Sequence, residues 1–233
     1  MTLQTRPSRL PAPDDPNRFG TPAFYASIGK AFVTMCAIIP VLFLVEVLDQ
    51  ASDHRLDSAG IRPLHLEGLA GILFAPFLHV SFLHLYGNAV PLILTGTFVM
   101  AGGGRRFVKV TGFVMLASGL GVWFLGKGVT VGASGVIFGY IGYLFIRGLV
   151  AGSWWNFAVA LLIGGLYGWQ VSGVIPSSDP NISWQAHLFG LIGGMLAAVL
   201  FGRPRNDPAV RPSQPPPGTG TQAPPAAPVS PAV

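Results

Sequence analysis

Six apolar stretches, each close to the length that crosses a bilayer, run through this 233-residue chain. They fall at about 31–48, 82–101, 107–125, 134–150, 155–174 and 184–202, where a membrane-spanning helix needs roughly 20 apolar residues. Lipid offers no hydrogen bonds, so each segment must satisfy its own N–H and C=O groups, and helices packed into a bundle do so. The expected fold is therefore all-α, a polytopic bundle of six transmembrane helices. Only 10% of the residues are charged, which suits a chain whose solvent is lipid.

The basic residues set the orientation. With the N-terminus inside, the inner segments hold Arg6, Arg9, Arg18, Lys30, Arg105, Arg106, Lys109, Arg147, Arg203, Arg205 and Arg211, and the outer ones only Arg55, Arg62 and Lys127. That asymmetry predicts N-in, C-in. The net charge of +5 is scattered over segment ends and makes no basic face, so no nucleic-acid partner is expected. Residues 1–26 and 204–233 are rich in proline and poor in large apolar side chains, and read as a disordered leader and tail on either side of a membrane domain at 27–203. The single cysteine, Cys36, excludes an intrachain disulfide. No signal peptide or organelle-targeting leader is evident, which points to a bacterial plasma membrane. Residues 49–81 form an outer loop, apolar enough from Ile61 to Phe74 to lie partly in the interface, and too polar between Asp49 and His65 to make a seventh span.

Polar residues inside such spans are functional candidates, because each needs a partner within the protein. Ser134 enters the fourth run in the string Gly132-Ala133-Ser134-Gly135, after the Gly126-Lys127-Gly128 break. The first N–H groups of a helix are unpaired there and favour a developing anion. Small residues also mark close helix packing, which is the plainer account of the string. In the second run His84 and Asn88, four apart, share a face near the outer end, either as chemistry or as interhelical glue, while His79 reads as structural. In the sixth, His187, Gly190 and Gly194 share a face; Gly135, Gly139 and Gly142 give the fourth run a matching groove. Two glycine faces approach more closely than the roughly 8–10 Å of ordinary helices, close enough for a serine–histidine hydrogen bond of about 3 Å.

The combination of His84-x-x-x-Asn88, Gly132-x-Ser134-Gly135 and Ala186-His187-x-x-Gly190-x-x-x-Gly194, in this order on the second, fourth and sixth runs, resembles the rhomboid family of intramembrane serine proteases. The resemblance covers about residues 28–203. It implies that Ser134 is the nucleophile and His187 its general base, with His84 and Asn88 helping the Ser134 N–H to bind the oxyanion. The substrates would be transmembrane segments of other proteins in the bilayer, cut near the outer face. No cofactor and no metal are implied. Two departures stand out: the first outer loop lacks a Trp-Arg pair common in many members, and Phe138 replaces a frequent tyrosine, keeping the stacking surface and losing a hydroxyl.

No acidic residue is placed by the sequence to orient His187, so a dyad is expected, with Phe138 packing one turn after Ser134 to fix the imidazole plane. The polar loop from Ser172 to Ser183 would roof a wet cavity, and Trp169 is either a lateral gate or an interfacial anchor. Three rivals remain on sequence grounds. A catalytically inactive relative could bind membrane clients without cutting them. A small transporter would need its polar path to continue through the inner halves of the spans, which are apolar. A metal site built on His79, His84 and His187 lacks His-Glu-x-x-His or Cys-x-x-Cys spacing.

Overall fold

The computed structural model describes residues 20–150, 157–159, 161–162, 165, 174–176 and 182–202. Five long helices occur among them: α1 (Pro22–Ala51), α2 (Phe82–Ala101), α3 (Gly104–Leu125), α4 (Ser134–Val150) and α5 (Trp184–Phe201). The first four carry the first four apolar runs, and α5 carries the sixth. Most of the fifth run, with Trp169 and most of the loop from Ser172 to Ser183, lies outside the described residues, as do residues 1–19 and the Pro-rich tail.

α1 starts well before its apolar run. Thr21 caps it, its Oγ1 accepting from the Phe24 N–H at 3.1 Å, and Pro22 occupies the first turn, where a missing N–H costs nothing. The helix therefore begins inside the stretch read as leader. It docks mainly on α2, where Gly96 leaves room for the Met35 side chain and Phe43 packs edge-on to Tyr86 at 5.0 Å.

Four helices, α1, α2, α3 and α5, are long and apolar enough to cross a membrane. α4 has 17 residues, a rise of about 25 Å against a hydrocarbon core of about 30 Å. It is also the most enclosed, packed against α2, α3 and most extensively α5. A short, surrounded helix can start below the membrane surface because its neighbours shield its first turn from lipid. Its core face is Val136, Ile137, Tyr140, Tyr143 and Leu144, all buried. The Tyr140 hydroxyl meets Thr111 Oγ1 of α3 at 2.7 Å, so the buried phenol is satisfied.

The loop between α1 and α2 is a chain of short turns fastened to its surroundings. It contains 3₁₀ turns at Leu56–Ala59, Leu66–Leu69 and Ala75–Phe77 and one α-turn at Gly71–Phe74. Ile61 pairs with Thr130 through two backbone hydrogen bonds of 2.9 and 3.0 Å. The Trp123 Nε1–H donates to the His65 carbonyl at 2.8 Å, and Ile72 fills the space beside Gly119 of α3. Ile61, Ile72 and Ala75 are buried, whereas Leu64, Leu66, Leu73 and Phe74 are exposed. The loop thus splits its apolar residues between a small core against α3 and an outward face.

Candidate active site

α4 and α5 approach until their backbones touch. A Cβ at Gly190 would overlap the Gly135 carbonyl, one at Gly194 the Gly139 carbonyl, and one at Gly142 the Leu191 carbonyl. Small residues let the helices close to this distance. At the top of this seam the Ser134 Oγ and His187 Nε2 lie 2.8 Å apart, a good hydrogen bond. The Phe138 ring, one turn below Ser134, stacks on the imidazole with centroids 4.3 Å apart and planes 16° from parallel. Phe138 is buried, so the ring that faces His187 is itself fixed.

α5 is held in register by polar contacts beside His187. Ser118 Oγ of α3 donates to the Ala186 carbonyl at 2.9 Å, and Gln185 Nε2 donates to the Leu125 carbonyl at 2.9 Å. Ser183 caps the helix through its side chain, accepting from the Ala186 N–H. Sequence reasoning passed over Ser118 and Gln185, because each partner lies 60 or more residues away.

Ala133 is where α4 takes hold: its carbonyl accepts from both Val136 and Ile137 N–H, at 3.0 and 3.1 Å. Among the described residues no backbone carbonyl takes the N–H of Ser134 or Gly135, which leaves both donors at the head of the helix. Gly132 sits outside the helix at φ +118°, a conformation that favours glycine. It was grouped with the packing glycines from the sequence; here it faces the His84 ring instead, since a Cβ at 132 would lie 2.7 Å from His84 Cε1 and 3.1 Å from Nε2. His84 therefore stands against the residue two before Ser134.

Asn88 lies on the expected face, buried, with its Nδ2 donating to the His84 carbonyl of its own helix at 2.9 Å. One amide hydrogen remains beyond that bond. His79, read as a structural residue, is packed beneath the loop before Ser134. It is 1% exposed, its Nε2 accepts from the Ala133 N–H at 3.4 Å, and its ring meets that of His84 edge-on at 5.2 Å. Burial, and after it the neighbouring His84, pushes its pKa down to about 3, so it is a neutral acceptor under the loop that presents Ser134. Just below, Gly132 N–H donates to the Ala75 carbonyl at 2.8 Å, and a small cavity of about 20 Å³ opens among Ile72, Ser118, Thr130, Gly132 and Gly135.

The carboxylates of α1 and its loop are gathered elsewhere. Asp49, His54 and Asp57 bring ligand-type atoms within 4.8 Å of one another, a grouping hidden in the sequence because it depends on positive φ at Asp53 and His54. Asp49 is already engaged there, accepting from the Leu56 N–H at 2.7 Å and meeting His54 Nδ1 at 3.2 Å.

Known proteins resemble this chain over most of its length. A family model, the Rhomboid domain, matches residues 67–204. An uncharacterized protein of Mycobacterium tuberculosis is 38% identical over 180 residues, 73% of this chain and 75% of its own. One from Mycobacterium leprae is 37% identical over 181 residues, 74% and 72% of the two chains. The rhomboid protease GluP of Bacillus subtilis is 31% identical over 140 residues, 55% of this chain and 25% of that protein.

Proposed function

The chain belongs to the rhomboid family, and as such a membrane protein we propose that it is an intramembrane serine endopeptidase. In this reading it spans the bilayer six times, N-in and C-in, and cuts transmembrane segments of other proteins near the outer face. The observation that carries the reading is the 2.8 Å contact between Ser134 Oγ and His187 Nε2, at the head of a helix with free N–H donors.

The proposed chemistry follows from those groups. Neutral His187 takes the Ser134 proton as Oγ attacks the scissile carbonyl, and the carbonyl oxygen becomes an oxyanion. The Ser134 N–H, the His84 ring and the remaining amide hydrogen of Asn88 are its donors, each worth on the order of a hundred- to a thousandfold in rate. The imidazolium then gives its proton to the leaving amine. Water, activated by the same histidine, hydrolyses the acyl-enzyme and restores the hydroxyl. Phe138 keeps the imidazole plane turned toward Ser134 throughout. The pair acts as a dyad. The short α4 supports access for water, since a 17-residue helix enclosed by longer neighbours can start below their rim.

The test uses the purified full-length chain in detergent with a single-span substrate whose helix carries glycine or small residues near its outer end. Cleavage by the parent and by neither Ser134→Ala nor His187→Ala is expected. Cleavage that survives Ser134→Ala would remove the serine mechanism. A parent that binds such segments and never cuts them would leave an inactive membrane-protein scaffold.

A further inference from the structure

At the end of the bundle opposite Ser134, the start of α3 meets the last turn of α4, and the charges there are unbalanced. α3 follows the turn at Gly102 and Gly103, the latter at φ +115°, with no side-chain cap and no acidic residue in its first turn. Among the described residues the N–H groups of Gly104, Arg105 and Arg106 meet no backbone carbonyl. A helix N-terminus favours negative charge, yet this one carries Arg105, Arg106 and, one turn on, Lys109.

Arg147 comes to the same place from α4. Its position in the last turn suits the dipole of its own helix, but that does not account for its surroundings. It is 8% exposed, and its buried Nη1 has no hydrogen-bond partner. Arg106 folds back over the turn, its Nη1 3.2 Å from where a Cβ at Gly102 would stand, and that nitrogen too is buried and unpaired. The buried Tyr143 hydroxyl lies against the Arg106 guanidinium and within electrostatic reach of Arg147, but without the geometry of a well-formed hydrogen bond to either. The acids among the described residues are Glu46, Asp49, Asp53, Asp57 and Glu67, all on the α1 end and the loop that packs near the Ser134 end of α3, so none can answer these cations. Leaving a charged donor buried without an acceptor is costly, and a missing anion resolves it.

We propose that the first turn of α3 and the last turn of α4 form a binding site for a phosphate group, gripped by Arg106 and Arg147 with the uncapped α3 amides, and supplied by an anionic phospholipid headgroup at that membrane face. Guanidiniums match phosphate oxygens in pairs, and the uncapped helix adds directed N–H donors. Basic pockets between helices at the membrane surface suit lipid headgroups. The Tyr143 hydroxyl donates to a phosphate oxygen, and exposed Arg105 and Lys109 provide the surrounding positive field. The site is about 20 Å along α4 from Ser134, so it stands whether or not the chain is a protease.

The experiment measures thermal unfolding of the purified full-length chain in neutral detergent, with added phosphatidylglycerol, phosphatidylcholine or inorganic phosphate. Phosphatidylglycerol at a hundredfold excess over its Kd raises the parent Tm by about 5 °C or more, and zwitterionic phosphatidylcholine does not. An equal rise with millimolar inorganic phosphate would assign the same site to the free ion in place of the lipid. Arg106→Gln, with its side chain at the helix start, and Arg106→Gln/Arg147→Gln should both lose the shift, and Arg106→Lys should keep part of it. Lipid-free Arg147→Met should be at least as stable as the parent, since it deletes an unpaired buried charge; a marked loss of Tm would mean that Arg147 is only structural. Equal shifts in the parent and the double variant, or no shift in the parent with any additive, would overturn the proposal.

Discussion

Replacing Gly190 with alanine should abolish proteolysis while leaving the fold intact. The added Cβ would sit inside the Gly135 carbonyl oxygen, 3.0 Å from its carbonyl carbon and 3.3 Å from its Cα. An ordinary carbon–oxygen contact needs about 3.3 Å, so α5 must retreat from α4 by about 1 Å. Ser134 adjoins Gly135 and His187 lies one turn from Gly190, so the same retreat opens the 2.8 Å hydrogen bond to about 3.8 Å, outside bonding range. Misplacement by about 1 Å costs on the order of a hundredfold, and complete loss of the base costs up to about 10⁴-fold. Stability should move little. Overpacking costs about 1–3 kcal/mol, and alanine returns about 1 kcal/mol of helix propensity. The assay is kcat on a single-span substrate in detergent, with Tm measured on the same samples. Gly112→Ala on α3 is the control, because nothing lies within 4 Å of its added Cβ. If Gly190→Ala keeps activity within a factor of a few of Gly112→Ala, the glycine seam does not set the serine–histidine distance and the reasoning fails.

Gly132→Ala should cost about 1–3 kcal/mol of backbone strain at φ +118° and displace the His84 ring; kcat should fall about as far as in His84→Ala, with the double variant no worse than either single one. Phe138→Ala should lower kcat with little change in KM, because it frees the imidazole stacked at 4.3 Å, whereas Phe138→Tyr should restore the parent rate. Asp57 gives a pH signature. Burial first, then Asp49 and Glu46, hold its pKa up at about 6 from an ordinary 3.8, with His54 pulling the other way. Its contribution to stability is therefore full below pH 3.8 and is lost as pH rises through 6. Asp57→Asn should raise stability above pH 6 by about 1 kcal/mol after solvent screening, read as a Tm gain of about 2–4 °C, and leave Tm unchanged near pH 4; a Tm gain of the same size at both pH values would show that charge is not the cause.

Several parts of the site were legible as periodicity. The apolar runs gave the helices, because lipid makes length and hydropathy nearly sufficient to define them, and α4 spans Ser134–Val150 as its run does. The glycines at 135 and 139, and at 190 and 194, lie four residues apart and so had to line one face of each helix. The start of α1 was hidden because a Thr-Pro cap acts locally, ahead of any apolar pattern. Asn88 was placed on its face, but its bond to the His84 carbonyl depends on a rotamer that spacing does not encode.

By itself, the sequence determined which segments live in lipid and which faces of α4 and α5 are smooth enough to touch, since both follow from side-chain size and polarity repeated along one helix. Tertiary structure decided how His79 supports Ala133, how Ser118 fixes Ala186, and that Arg106 and Arg147 converge without a counter-charge among the described residues. Each of those pairs joins residues more than 40 positions apart in the chain. Such contacts are set by the register and rotation of one helix against another, which arise from packing the whole bundle and leave no periodic trace in any single segment.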